Sequence, residues 1–408
     1  MLLIIGGASA IGFYMAWSIG ANDVANSMAT AVGAKAITFK QAVIIAGLLN
    51  FLGAVLLGPQ VVETVKGGII KTSIITNPQV LLIGFISSLL AAAIWVTLST
   101  WKEMPISTTH SVIGALIGFG LIAGGFASVQ WGMVGSVALS WLLSPVFGCI
   151  LAFLIFKIIV KLIFARDDPV RAARYVGPII MGFTAFLIMS SLLLKTSLSK
   201  MMGISSDATA LLISFFCFVL VSCVGIYYFR NIQAKSNEDY ATVEGIFRKL
   251  QIVTSCYVAF AHGANDVANA IGPVAAIIPL ASTGEMDPTA QIPLYLLMIG
   301  GIGITIGCLT WGKKVMKTVG GRITSLTNTR GFSVDFGAAT TVLVASKLGL
   351  PISTSHTVVG AVIGVGLARG LEAIDLGIIK KITASWLLTL PIAAGTSISI
   401  FLLISMIL

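Results

Sequence analysis

The chain has 408 residues, 57% of them hydrophobic and only 10% charged, with a mean hydropathy of +1.02 and a formal net charge of +10 at pH 7. That composition excludes a soluble globular protein, whose surface needs more polar side chains, and predicts a polytopic helical membrane protein. The positive charge does not point to nucleic acid, because the basic residues are scattered among short loops and form no single patch.

Taken in chain order, about twelve apolar segments are long enough to cross or enter a bilayer, near 2–19, 41–58, 80–99, 105–125, 132–160, 176–194, 208–229, 251–280, 291–311, 332–349, 351–368 and 382–408. The expected fold class is an all-α membrane protein of about 12 transmembrane or re-entrant helical segments. The first segment has the apolarity of a signal-peptide core but no basic flank, so it is expected to stay as a helix. Cys149, Cys217, Cys223, Cys256 and Cys308 lie in apolar segments without metal-type spacing and read as packing residues.

Loops near 31–40, 100–104, 157–175, 230–250, 312–331 and 369–381 fall on one side of this arrangement and carry 20 of the 25 Lys and Arg residues. The opposite loops hold Lys66, Lys71, Lys195, Lys200 and Lys347, together with Glu285 and Asp287. The positive-inside rule then puts both termini outside a plasma (inner) membrane.

Gly-Ala-Asn-Asp-Val-Ala-Asn occurs at 20–26 and again at 263–269. Each copy sets a carboxylate, Asp23 or Asp266, in an apolar stretch, where an acid persists only with a partner. Two further echoes follow. The segment 105–120, beginning Pro-Ile-Ser-Thr-Thr-His, matches 351–366 in 11 of 16 positions, and Ser140-Trp141-Leu142-Leu143 recurs as Ser385-Trp386-Leu387-Leu388. The offsets are 243, 246 and 245 residues, so one five-segment unit occurs twice with two segments between the copies. An odd number of crossings starts the second copy from the opposite face, which predicts inverted-topology repeats over 1–163 and 246–408, joined by two linking helices in 164–245.

The repeated residues suggest ion chemistry. Pro105 and Pro351 suit helix starts, and Ser107, Thr108, Thr109, Ser353, Thr354 and Ser355 offer hydroxyls beside unpaired backbone N–H groups. Two such ends could meet on one oxyanion, although a single copy alone would more often be a cap or kink. Asn22 and Asn26, with Asp23 adjacent, recur as Asn265, Asn269 and Asp266. These carboxylate and amide oxygens suit a hard cation such as Na⁺, and interhelical hydrogen bonding is the bland alternative for the asparagines. Gly20 and Gly263 either break their helices or permit close packing. His110 and His356 are repeat mates that read as structural, whereas His262 aligns with Ile19 and stays open.

Together these motifs closely resemble the inorganic phosphate transporter family over essentially the whole chain. The resemblance implies symport of inorganic phosphate with Na⁺ or H⁺ by two inverted repeats, and no enzymatic activity. Carried over residue by residue, it implies phosphate contacts from Asn22, Ser107, Thr108, Thr109, Asn265, Ser353, Thr354 and Ser355. Cation contacts are expected at Asp23, Asn26, Asp266 and Asn269, from the oxygen chemistry above. There are two departures: a long intracellular loop of many eukaryotic relatives is missing, and Asp335 stands where relatives often have Glu.

Two buried carboxylates would repel phosphate unless cations accompany it, and neither motif contains Lys or Arg. About two Na⁺ per phosphate are expected, one near each repeated Asp, with no other cofactor. Proton or metal-phosphate symport is the alternative, with His262 as a relay. An anion channel and an intramembrane hydrolase are the rivals from other classes. The expected partners are phosphate, the coupling ion and the lipid bilayer, with homo-oligomerisation left open.

Overall fold

The computed structural model describes residues 2–194, 199, 202–204, 206–233, 238–284, 291–313, 315–316, 325–370 and 375–407. Lys195, Lys200, Glu285 and Asp287, which entered the charge argument, lie outside the described residues, as do parts of the loops 230–250, 312–331 and 369–381.

Among the described residues there are thirteen α-helices. The first six are α1 (Leu2–Gly33), α2 (Phe39–Leu57), α3 (Pro59–Gly67), α4 (Pro78–Trp101), α5 (Thr108–Gly124) and α6 (Trp131–Ile159). They are followed by α7 (Pro169–Leu193) and α8 (Asp207–Phe229). The last five are α9 (Asp239–Thr283), α10 (Leu294–Trp311), α11 (Asn328–Lys347), α12 (Thr354–Arg369) and α13 (Leu376–Ile407). Nine of them are long and apolar enough to cross a membrane. The chain is an integral membrane protein, and side chains such as Leu142, Leu212, Phe216 and Leu387 form an exposed apolar surface suited to hydrocarbon.

Local sequence explains the starts. Thr38 and Gln41 form a reciprocal capping box before α2, Asn77 caps α4 with Pro78 behind it, and Asp168 caps α7 with Pro169 behind it. Two expectations need correction, and one open alternative is resolved. The first segment continues to Gly33, because helical periodicity carries straight through its Asn-Asp motif, and the eighth begins at Asp239, because Val243, Ile246, Phe247 and Leu250 continue its buried face upstream. The short α3 is an addition to the expected segments; Pro59 lacks the N–H needed to extend α2 and instead starts a new helix. Gly20 and Gly263 break nothing. A Cβ at Gly20 would run into the main chain of Ile304, and one at Gly263 into that of Asn50, so both glycines serve close packing.

The packing is exchanged between the two repeated units. Gly114 and Gly118 of α5 lie against Leu390 and Ala394 of α13, while their mates Gly360 and Gly364 of α12 lie against Pro145 and Cys149 of α6. The same reciprocity relates α2 and α10. Gly53 abuts Phe260 of α9 and Gly307 abuts Trp17 of α1, and Gly47 packs on Thr305 where Gly301 packs on Phe51. Contacts in which i meets j and the mate of i meets the mate of j are the mark of a two-fold relation.

Each unit therefore contributes a helical hairpin, α4–α5 or α11–α12, held by the last helix of the other unit. The hairpin tips turn through left-handed backbone at Glu103 (φ 58) and at its mate Gly349 (φ 69). Glycine accepts that conformation freely, whereas glutamate does so at a cost of about 1–2 kcal/mol.

Candidate functional site

At the centre, α1 and α9 pack against each other and present the two Asn-Asp motifs to the two hairpin tips. Asp23 and Asp266 are fully buried. Thr108 Oγ1 donates to Asp23 Oδ2 at 2.8 Å, and its mate Thr354 Oγ1 donates to Asp266 Oδ2 at 3.1 Å. Each acid is thus tied to the first turn of the hairpin helix of its own unit.

The asparagines fasten the tips. Asn22 Nδ2 donates to Thr100 Oγ1 at 2.9 Å and to the Met104 carbonyl at 3.1 Å, and Asn22 Oδ1 accepts from the Ile106 N–H at 3.3 Å. In the second unit Asn265 Nδ2 reaches Ser346 Oγ at 3.3 Å and the Leu350 carbonyl at 3.2 Å. Asn26 and Asn269 cross between units. Asn26 Nδ2 donates to Ser355 Oγ at 2.8 Å and to Thr354 Oγ1 at 3.4 Å, whereas Asn269 Nδ2 donates to Thr109 Oγ1 at 3.1 Å. The tips also hold each other, because Thr109 Oγ1 donates to the Ile352 carbonyl and Ser355 Oγ to the Ile106 carbonyl, both at 3.0 Å.

Ser107 and Ser353 are the N-caps of α5 and α12, accepting from the His110 N–H at 3.2 Å and the His356 N–H at 3.3 Å. A hydroxyl that accepts in this way still has its own proton to donate. All twelve residues expected at the site are buried and brought into one interconnected cluster. Within it, the hydroxyls of Thr108, Thr109, Thr354 and Ser355 are donated to protein oxygens, which leaves the two cap serines as the hydroxyls best placed to serve a ligand.

His262, the relay candidate of the proton-coupled alternative, lies one turn before Asp266 on α9. Its Nε2 lies 2.8 Å from Asp266 Oδ2 and 3.9 Å from Asp23 Oδ2, and its Nδ1 faces Asn50 Oδ1. Asn50 Nδ2 donates to the Ala46 carbonyl at 2.7 Å, which fixes the amide so that its oxygen points at the ring. Asp23, His262 and Asp266 therefore form one cluster, their ligand atoms within 4.8 Å of one another. The sequence offers no cue to this beyond the Asp266 spacing, since His262 has no repeat mate.

Four buried side-chain oxygens in this region, Asp23 Oδ1, Asp266 Oδ1, Asn265 Oδ1 and Asn269 Oδ1, have no hydrogen-bond donor among the described residues. Buried acceptors without donors are costly, and a hard cation is a natural partner for a set made only of oxygen.

Elsewhere the remaining polar residues have other roles. His110 and His356 meet edge to face at 4.6 Å between ring centroids, each against a tryptophan, Trp141 at 3.8 Å and Trp386 at 3.6 Å. Their Nδ1 atoms face the Trp386 and Trp141 carbonyls, so this pair belongs to the packing behind the tips. Asp335 accepts from Thr30 Oγ1 and Ser255 Oγ, both at 2.6 Å. Thr30 is two turns beyond Asp23, on the order of 10 Å along α1, which sets this third buried acid apart. Lys347 Nζ bonds the Ser191 and Leu194 carbonyls, and Lys102 is exposed.

Comparison with known proteins places this architecture. The phosphate transporter family model matches residues 19–397. The chain belongs to that family. It is 50% identical over 391 residues to a Thermococcus kodakarensis protein assigned as a phosphate permease, covering 96% of this chain and 95% of the relative. It is 40% identical to the chloroplastic inorganic phosphate transporter 2-1 of Arabidopsis thaliana, covering 95% of this chain and 70% of that one. A solved structure described as the sodium-dependent phosphate transporter matches with a TM-score of 0.93 and 45% identity, each chain covered in full. The protein is accordingly a membrane transporter and not an enzyme.

Proposed function

We propose that this member of the phosphate transporter family is a Na⁺-coupled inorganic phosphate symporter that works by alternating access. The observation that carries the reading is the pairing of two buried carboxylates, each with one oxygen left without a donor, and two N-cap serines that retain a proton to give. Na⁺ bound by Asp23 and Asp266, with the Asn265 and Asn269 amide oxygens as further ligands, offsets the repulsion between the acids and an incoming phosphate. Ser107 and Ser353, with the N–H groups that open α5 and α12, then bind the phosphate oxygens. Because both acids lie in one cluster, we place the cations close together and not at two distant sites. The name of the structural neighbour, a sodium-dependent phosphate transporter, supports the choice of ion.

Occupancy would link α1 and α9 to both hairpins and permit the units 1–163 and 246–408 to rearrange around the site, with 164–245 as the connection between them. In this reading both termini lie outside a plasma membrane, which the bias of Lys and Arg toward the opposite loops supports.

One observation favours a second reading. Both ring nitrogens of His262 face oxygens, Asn50 Oδ1 and Asp266 Oδ2, and a doubly protonated ring can donate at both ends. That makes H⁺ the competing coupling ion. Counterflow of labelled phosphate in proteoliposomes tests the carrier mechanism. Internal unlabelled phosphate should accelerate label entry by an obligatory exchange cycle, and entry indifferent to internal phosphate would indicate a channel.

A further inference from the structure

Around the hairpins the two units share many matched contacts, and at one place they differ in how the space between helices is filled. In the first unit Trp95 of α4 turns its indole to α13 and donates Nε1–H to Thr389 Oγ1 at 3.4 Å. The register between α4 and α11 is 246, as the matched contacts of Thr100 with Asn22 and Ser346 with Asn265 require; that between α6 and α13 is 245. Thr341 is therefore the counterpart of Trp95, and Ser144 the counterpart of Thr389. Thr341 donates to the Gly337 carbonyl of its own helix at 2.8 Å. Ser144 is 3% exposed, and its Oγ has no hydrogen-bond partner among the described residues.

A cavity of about 540 Å³ lies here, lined by Ser144 and Thr341 together with Phe147, Val344, Leu348 and Ile352. No charged residue lines it among the described residues. Phe147, Val344 and Leu348 are 54%, 52% and 68% exposed, so the cavity opens onto the apolar surface that faces hydrocarbon. The first unit fills the equivalent place with its own indole. The second leaves both the volume and the hydroxyl unmatched.

We propose that the cavity between α6 and α11 binds a membrane-dissolved aromatic molecule carrying one N–H or O–H donor. The ring takes the place that the Trp95 indole occupies in the other unit, and the donor meets Ser144 Oγ. Apolar cavities of this kind bind small aromatic molecules readily. A lipid tail would fill the volume but leave the buried Ser144 hydroxyl unmet, which favours a ring with a donor.

The site touches the transport machinery through Ile352, whose carbonyl accepts from Thr109 Oγ1 and which immediately precedes the cap Ser353. An occupant braces the α11–α12 tip and should slow phosphate uptake. That consequence rests on the proposed function; binding itself does not.

The test is a ¹⁹F NMR titration of 5-fluoroindole against the full chain in lipid nanodiscs, with empty nanodiscs correcting for partitioning. Saturable binding is expected. It should weaken about three- to tenfold for the N-methyl analogue, which lacks the donor, and equally for Ser144→Ala, while Ser144→Ala should not weaken the analogue further. Thr341→Trp should abolish binding by supplying the missing indole. Val344→Trp, at the exposed mouth, should block it as well and serves if Thr341→Trp does not fold. No saturable binding, equal affinity for both ligands, or binding undiminished in Val344→Trp would overturn the site. Saturating 5-fluoroindole should also lower phosphate uptake by the parent protein; unchanged uptake despite binding would overturn the link to the tip and leave the site standing.

Discussion

At the scale of single residues, coupled transport requires the two buried acids to act as ligands and not merely as interhelical ties. Asp23→Asn and Asp266→Asn preserve side-chain size while removing the charge that a cation needs. Each should reduce coupled phosphate uptake by about tenfold or more, with the protein still extracted as a monodisperse species. Uptake at the parent rate in both variants would remove the acids from the site. The cap serines make a complementary case, because their protons are the ones left to give. Ser107→Ala or Ser353→Ala should raise the phosphate concentration needed for half-maximal uptake by about tenfold, the size expected for one hydrogen bond to an anion, with little change in cation dependence. Exact repetition makes the acids and the cap serines legible in the sequence. His262 is legible there only as a relay candidate beside Asp266; its contacts with Asn50 and Asp23 are not, because those residues are remote in sequence and meet it only after α2 and α1 pack on α9. The hydroxyls of Thr109 and Ser355 are also hard to assign from sequence, since their partners are main-chain carbonyls of the opposite hairpin.

At the scale of elements, close helix approach sets the position of both Asn-Asp motifs. Gly263 sits against the main chain of Asn50, the residue whose amide oxygen faces His262. Gly263→Ala should force α2 and α9 apart and lower stability by about 1–3 kcal/mol, read as an earlier thermal loss of the monodisperse peak on size exclusion. An unchanged melting profile would show that the contact relaxes at no cost. The five repeated elements are only partly visible in sequence. The hairpin helices announce themselves through Pro-Ile-Ser-Thr, but α2 and α10 share little beyond the spacing of Gly47 and Gly53 with Gly301 and Gly307. Their equivalence emerges from what those glycines touch. The end of α1 and the start of α9 escape a hydropathy reading for different reasons: α1 keeps the polar groups of its Asn-Asp motif inside the protein, and α9 begins with a charged stretch in which Val243, Ile246, Phe247 and Leu250 still form a buried stripe.

At the scale of the whole molecule, the duplication explains why one site can be served by two halves. Each hairpin is held by the last helix of the other unit, so neither unit completes its packing alone. This exchanged arrangement puts both helix starts and both acids in one central cluster, the layout expected of a carrier whose halves move about a fixed binding site. The central claim is that Na⁺ binding at this cluster drives phosphate movement. The most direct test is phosphate uptake into proteoliposomes, first with an inward Na⁺ gradient and no pH gradient, then with an inward proton gradient and no Na⁺. Concentrative uptake is expected in the first condition and none in the second; uptake driven by the proton gradient alone, with no response to Na⁺, would show that protons and not Na⁺ drive transport.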